Sequence, residues 1–194
     1  MVELLTVCTG NICRSPLAEV LLRERLAPLA VSVGSAGTRA MVGSGMTPEA
    51  VRLAEANRAT DASAHRSRQL TEGLLAGPDL IFAMSREHRR AIVDLSPRLL
   101  RSTFTIREFA RLASCVSTAD VGAAVAGAAD EREALKLAVA HVASQRGLVD
   151  LPADAADDDV IDPYRRSWKT YELTASQLVP AVDEVVRVLR IALG

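Results

Sequence analysis

The stretch VCTGNICRSPLAE (Val7 to Glu19) sets a cysteine six residues ahead of an arginine, with a serine next to the arginine. That set can do nucleophilic chemistry on a tetrahedral anion. Between Cys8 and Arg14 lie Thr9, Gly10, Asn11, Ile12 and Cys13. Small and polar residues of this kind suit a loop whose backbone N–H groups point inward, and a following helix adds partial positive charge. The loop lacks the closing GK[ST] of a nucleotide-binding loop; Arg14 closes it instead, and a planar guanidinium grips two oxygens of a tetrahedral anion. The field that holds a phosphate also favours the ionised form of Cys8. A thiolate beneath a bound phosphate is set for in-line attack, giving a cysteinyl-phosphate that water then hydrolyses. Ser15 is placed to hydrogen-bond the sulfur and ease its departure.

Such a reaction needs an acid for the leaving oxygen and then a base for water. The candidate is Asp162 in DPYRRS, held in extended geometry by Pro163, which is also expected to start the last helix. Asp157, Asp158 and Asp159 are nearby competitors, but none precedes a proline, and the run is read as a solvated loop without calcium-loop spacing. His88 and His141 sit in charged helical contexts and are read as solvent-facing.

These residues must be positioned by regular elements. VELLTV reads as a buried strand, and Ser15-Pro16 as an N-cap and first helical position for PLAEVLLRERLA. AVSVGSAGT, PDLIFAMS and RSTFTI read as further strands, with TPEAVRLAEANR, REHRRAIVDL and REFARLAS as helices after them. Strands alternating with helices predict a three-layer α/β/α domain with a four-stranded parallel sheet. Function in such folds gathers at the carboxyl ends of strands, where the loop after the first strand lies. From about 114 to 159 the pattern changes to a helix over ADEREALKLAVAHVASQRG and the acidic loop DLPADAADDDV. From Tyr164 an apolar stripe at helical spacing runs to the end, and Pro180 is expected to kink it or start a second helix.

The 194 residues fit one domain, and 49% hydrophobic content supports a substantial core, filled by aliphatic residues because only 3% are aromatic. A net charge of −1 argues against a nucleic-acid binder. Three cysteines make no disulfide framework, no His/Cys spacing fits zinc, and no apolar run spans a membrane. A cytoplasmic protein, a monomer or weak dimer, is expected.

The order CTGNICRSP after one strand, then SAGT (Ser35 to Thr38), HRSRQL from His65, DLIFAMS and a late DP resembles the low-molecular-weight protein tyrosine phosphatases, over Val2 to Leu112 and Asp162 to the end. The resemblance implies Cys8 as nucleophile, Arg14 as phosphate-binding transition-state stabiliser and Asp162 as general acid/base. It implies that Asn11 holds a left-handed turn and that Ser35 and His65 belong to the network behind the loop. Thr9, Gly10, Ile12, Cys13 and Ser15 complete the phosphate cradle. Cys13 matches the family's second loop cysteine, which leaves two readings open, a reversible disulfide with Cys8 or a structural thiol. DPYRRS is similar to the bacterial members that act on tyrosine kinases, with Tyr164 walling the pocket and Arg165 against the substrate. Met41 stands where many members carry an aromatic wall. The implied domain is 1–194 with an insertion at about 114–159, and the implied partner a phosphotyrosine protein. No metal or organic cofactor is expected, because loop amides and Arg14 supply the positive charge.

Two other functions share this frame. An arsenate reductase would need two relay cysteines near the third strand, where FAMSREHRRAIVDL has none. A catalytically idle phosphate-binding or redox-sensing module would have no need of Cys8, Arg14, Ser15 and Asp162 together.

Overall fold

Alternate residues of β1 (Val2–Cys8) serve different faces of one sheet. Val2, Leu4 and Cys8 point into one apolar cluster, Leu5 and Val7 into another. The computed structural model describes residues 1–194. β2 (Val31–Gly37), β3 (Leu80–Ala83) and β4 (Thr103–Thr105) complete a sheet in the order β2-β1-β3-β4, parallel throughout. The expected α/β/α fold with four parallel strands is what the chain adopts. The Cys8 loop leaves the central strand where the order reverses, at the crevice such sheets use for ligands.

The two faces are unequal. One carries α1 (Arg14–Leu26), α2 (Pro48–Ala56), α4 (Ile106–Ala113), α5 (Thr118–Val125), α6 (Glu131–Ser144) and α7 (Trp168–Leu193), joined in a cluster of 41 buried residues. The other carries α3 (Arg86–Leu95) and two 3₁₀ turns over a cluster of nine. Aliphatic residues dominate the core, but the chain's three phenylalanines stack in it edge to face, Phe109 standing 5.3 Å from Phe82 and 5.4 Å from Phe104.

Three local expectations change. α1 begins at Arg14 with Cys13 as its N-cap, two residues earlier than the Ser15-Pro16 cap implies. Pro16 falls within the first turn, where its missing N–H would have no partner, and Ser15 turns its hydroxyl to Cys8 instead of capping. Pro163 does not start α7; Ser167 is its N-cap, and a turn closed by Arg166 N–H on the Pro163 carbonyl intervenes. α7 runs unbroken through Pro180, which is exposed, so the carbonyl its ring leaves unpaired faces water.

The 114–159 segment contributes α5 as well as α6. Its signal was a capping box, Ser117 and Asp120 bonding each other's backbone N–H. Val121, Leu135, Ala138, Val139 and Val142 pack into the large cluster with α7.

Candidate active site

Cys8 ends β1, and the next five residues form a loop before α1. The loop carbonyls all point outward. Those of Cys8, Thr9, Gly10 and Ile12 accept the N–H groups of Thr38, Arg39, Met41 and Thr47 at 2.9, 3.0, 3.0 and 2.9 Å. His65 Nε2 donates to the Asn11 carbonyl at 2.8 Å, and Ser67 Oγ to that of Gly10 at 3.0 Å. In a planar trans peptide each carbonyl opposes the next residue's N–H. The N–H groups of Thr9 through Cys13 therefore face inward, and only that of Asn11 takes a protein partner, Cys8 Sγ at 3.3 Å. Asn11 reaches this turn at φ 55°, left-handed, a conformation asparagine tolerates. Gly37 permits the close approach of β2: a Cβ there would lie 2.5 Å from the Thr9 carbonyl oxygen.

A buried polar chain holds the loop from behind. Asn11 Nδ2 donates to Ser15 Oγ at 2.9 Å and Ser35 Oγ at 2.7 Å, and Ser35 donates to Glu19 Oε2 at 2.5 Å. Ser15 thus has its proton free for Cys8 Sγ, 3.0 Å away, in preference to the Ala36 carbonyl at 3.5 Å. His65 Nδ1 stands 3.6 Å from Glu19. Burial alone would raise the Glu19 carboxyl, yet hydrogen bonds from His65 and Ser35 and the charge of Arg23 hold it below the usual carboxylate range. The carboxylate therefore anchors the chain as an acceptor.

Over the loop lies a cavity of about 150 Å³ lined by Cys8, Thr9, Gly10, Ile12, Cys13, Arg14, Arg39, Met41, Asp162 and Tyr164. Arg14 is 6% exposed, and its Nη2 meets Asp162 Oδ2 at 2.8 Å while Nη1 donates to the Val160 carbonyl at 3.0 Å. The Cys8 sulfur, the Arg14 guanidinium and the Asp162 carboxylate thus share one small space. Asn11, Ser15, Ser35 and His65 stand behind the loop rather than on the cavity wall. Arg165 does not reach the cavity; in a left-handed turn at φ 58° it lies over the Tyr164 ring, 5.2 Å from its centroid. Arg39 does line it and was not singled out in the sequence; its signal is the Thr9 carbonyl, which fixes the backbone two residues past Gly37. Cys13 Sγ stands 3.6 Å from both Thr47 Oγ1 and Tyr171 Oη, and burial pushes its thiol up. Both loop cysteines are free thiols.

Asp162 is held by pairing on both sides. The Val160 N–H joins the Met84 carbonyl at 2.9 Å, and Gln177 Oε1 accepts the Ile161 N–H at 2.9 Å. Upstream the acidic run is not merely solvated. Arg111 forks onto Asp158 at 2.9 and 3.2 Å, Arg86 pairs with Asp159 at 3.1 Å, and Arg107 donates to the Asp159 carbonyl at 2.7 Å. Carboxylate hydrogen bonding raises both Arg86 and Arg111 above the ordinary arginine range.

His88 also departs from its solvent-facing reading. It is 3% exposed, its Nε2 2.8 Å from Thr9 Oγ1 and its Nδ1 2.7 Å from Ser85 Oγ. Burial, with the Arg14 charge, lowers it to about 4, so the ring is neutral at physiological pH. Its helix looked polar, but the first turn of α3 tucks beneath the loop after β1.

No group of metal-ligating side chains forms in the structure, and no helix is long and apolar enough to cross a membrane. A thiol at the mouth of an amide-lined loop, answered by arginine and aspartate, is the arrangement of cysteine-dependent phosphate-ester chemistry. The sequence profile of the low molecular weight phosphotyrosine protein phosphatases matches residues 3–122, and the chain belongs to this family of phosphoric monoester hydrolases. A probable low molecular weight protein-tyrosine-phosphatase EpsP of Ralstonia nicotianae is 42% identical over 105 residues, 54% of this chain and 70% of that one. A protein-arginine-phosphatase of Bacillus subtilis is 38% identical over 110 residues, covering 55% and 71%. The crystal structure of the low molecular weight protein tyrosine phosphatase from T. tengcongensis superposes with a TM-score of 0.67 at 29% identity, covering 96% of this chain and 98% of that one.

Proposed function

We propose that this chain is one phosphatase domain, with the 114–159 segment docked as an integral insertion, that hydrolyses protein phosphotyrosine in the cytoplasm through a cysteinyl-phosphate. The observation that carries the reading is the Cys8 sulfur in a cavity with inward amides on one side and Arg14 paired to Asp162 on the other. A phosphate entering the loop takes the unpartnered amides of Thr9, Gly10, Ile12 and Cys13 and two in-plane N–H groups of the guanidinium. The phosphate displaces Asp162 from Arg14, and Asp162 takes up the proton of the monoanionic ester; Cys8 Sγ then attacks phosphorus as the P–O bond to the leaving alcohol breaks, and Asp162 gives that oxygen its proton. Asp162, now a carboxylate, takes a proton from water, which attacks phosphorus; the S–P bond breaks, releasing inorganic phosphate and restoring the thiolate held by Ser15 and the Asn11 N–H. No step calls on a cofactor. The reducing cytoplasm suits a nucleophile that must remain a thiolate.

Tyr164, Ile12 and Met41 give the walls an apolar, partly aromatic surface suited to an aryl ester. DPYRRS supports a bacterial tyrosine kinase as one such substrate. The B. subtilis relative raises phosphoarginine as a second reading. A phosphoarginine side chain keeps a guanidinium-derived group that calls for a carboxylate beside it, yet Asp162 is the one carboxylate lining the cavity, already paired to Arg14, and Arg39 adds positive charge. These features favour the aryl ester. Turnover of p-nitrophenyl phosphate and a phosphotyrosine peptide is expected, to vanish in Cys8→Ser and to exceed phosphoarginine turnover; activity surviving in Cys8→Ser would overturn the mechanism.

A further inference from the structure

His88 is a buried imidazole next to the cavity that no step above uses. Each of its ring nitrogens has one partner, Ser85 Oγ at 2.7 Å and Thr9 Oγ1 at 2.8 Å. Ser85 is the N-cap of α3, and its Oγ already accepts the His88 backbone N–H at 3.3 Å. The proton inventory then orders the chain. Ser85 has one hydroxyl proton and no acceptor for it in the fold except His88 Nδ1. With Nδ1 accepting, the neutral ring carries its proton on Nε2 and donates it to Thr9 Oγ1. Thr9 is left with its own proton unclaimed, and Thr9 is one of the residues lining the cavity over Cys8. In the opposite tautomer the Ser85 proton would have no protein acceptor and the Thr9 proton would be drawn toward His88.

We propose that the Thr9 hydroxyl is a donor to the oxygens of the bound phosphoryl group, and that His88, itself fixed by Ser85, is the positioning residue that aims its proton there. The proposal rests on reading the cavity as the phosphate site. It adds one neutral donor to the amide ring and the guanidinium. The ring sits among Arg14, Arg39, Asp159 and Asp162, whose charges oppose one another, and it stays uncharged chiefly because it is buried, with Arg14 adding to the effect.

The test is a double-mutant cycle on the full chain with two readouts, kcat/KM for p-nitrophenyl phosphate and the inhibition constant of orthovanadate. Thr9→Val keeps shape and removes the hydroxyl; His88→Ala removes the positioning ring. Each is expected to weaken both quantities about tenfold, the size of one hydrogen bond to a charged group. The double variant is expected to be no weaker than either single one, because both remove the same interaction. Thr9→Ser is expected to stay within about twofold of the parent. His88→Gln, whose amide nitrogen can donate to Thr9, is expected to recover part of the loss. Additive losses in the double variant, or an unchanged vanadate constant in Thr9→Val, would overturn the proposal. If His88→Ala does not fold, Thr9→Val and His88→Gln alone decide it. Cys8→Ser, assayed in parallel, separates the outcomes: residual turnover there undoes the phosphate-site reading, whereas a dead Cys8→Ser beside a fully active Thr9→Val undoes only this inference.

Discussion

Asp162 illustrates how much one side chain can depend on its partner. Its side chain is 53% exposed, so solvent alone would leave it unfixed, but the buried Arg14 guanidinium holds it at 2.8 Å. Removing the carboxylate leaves the loop intact and takes away proton transfer. Asp162→Ala is expected to lower kcat by roughly 10²- to 10⁴-fold, the usual range for general acid catalysis, with vanadate inhibition retained; equal loss of both would point to loop collapse. Tyr164 acts differently, offering a ring face to an aryl substrate. Tyr164→Ala is expected to raise KM for aryl phosphates about fivefold, as loss of an aromatic contact worth ~1 kcal/mol implies, and to spare kcat. An unchanged KM would remove Tyr164 from the pocket wall.

At the scale of elements, three arginines from α3 and α4 fix the loop that delivers Asp162. Arg111 and Asp158 are half-buried and bidentate, so their pairing resists screening better than the more open Arg86–Asp159 pair. The loop carries the acid itself and touches the phosphate-binding residues only through the Val160 carbonyl, which accepts from Arg14. Asp158→Asn with Asp159→Asn is therefore expected to slow esters with poor leaving groups, such as phenyl phosphate, about tenfold more than esters with good ones, because misplacing a proton donor hurts where protonation is most needed. A uniform loss across leaving groups would mean the latch serves stability only. The acidic run shows why local reading reached its limit: three aspartates in a row carry no mark of partners 47 and 73 residues away.

For the whole molecule, the 114–159 segment and the buried histidine each bear on stability. Leu135 and Val142 of α6 are 2% and 0% exposed within the main cluster. Leu135→Ala is expected to cost about 2–5 kcal/mol in urea unfolding, in one transition shared with the active-site region; two separate transitions would show that the insertion folds apart. His88 adds a pH term. Unfolded, it takes a proton below its ordinary value of 6.5; folded, only below about 4. Between these the unfolded chain binds more protons, so stability falls as pH drops from 6.5 to 4 and stops falling below, a total of about 3 kcal/mol. In His88→Gln the same window is expected to be flatter; an identical slope in both proteins would assign the acid loss to other groups.

Much of this molecule lies within short range of the chain. A strand buried on both faces, a loop of small residues and an arginine at the head of a helix are set by neighbours a few residues apart, so the fold class, Cys8 and Arg14 could be read directly, while the left-handed Asn11 came only with the family resemblance. The DP pair marked Asp162 by its local geometry. Tertiary packing alone decided what lay on the cavity and what behind it. It brought Arg39 in, turned Arg165 onto Tyr164, carried α7 through Pro180 on its wet side and buried His88 under Thr9. Each of these depends on which element covers which face, and an amphipathic helix announces that it has a covered side without saying what will cover it.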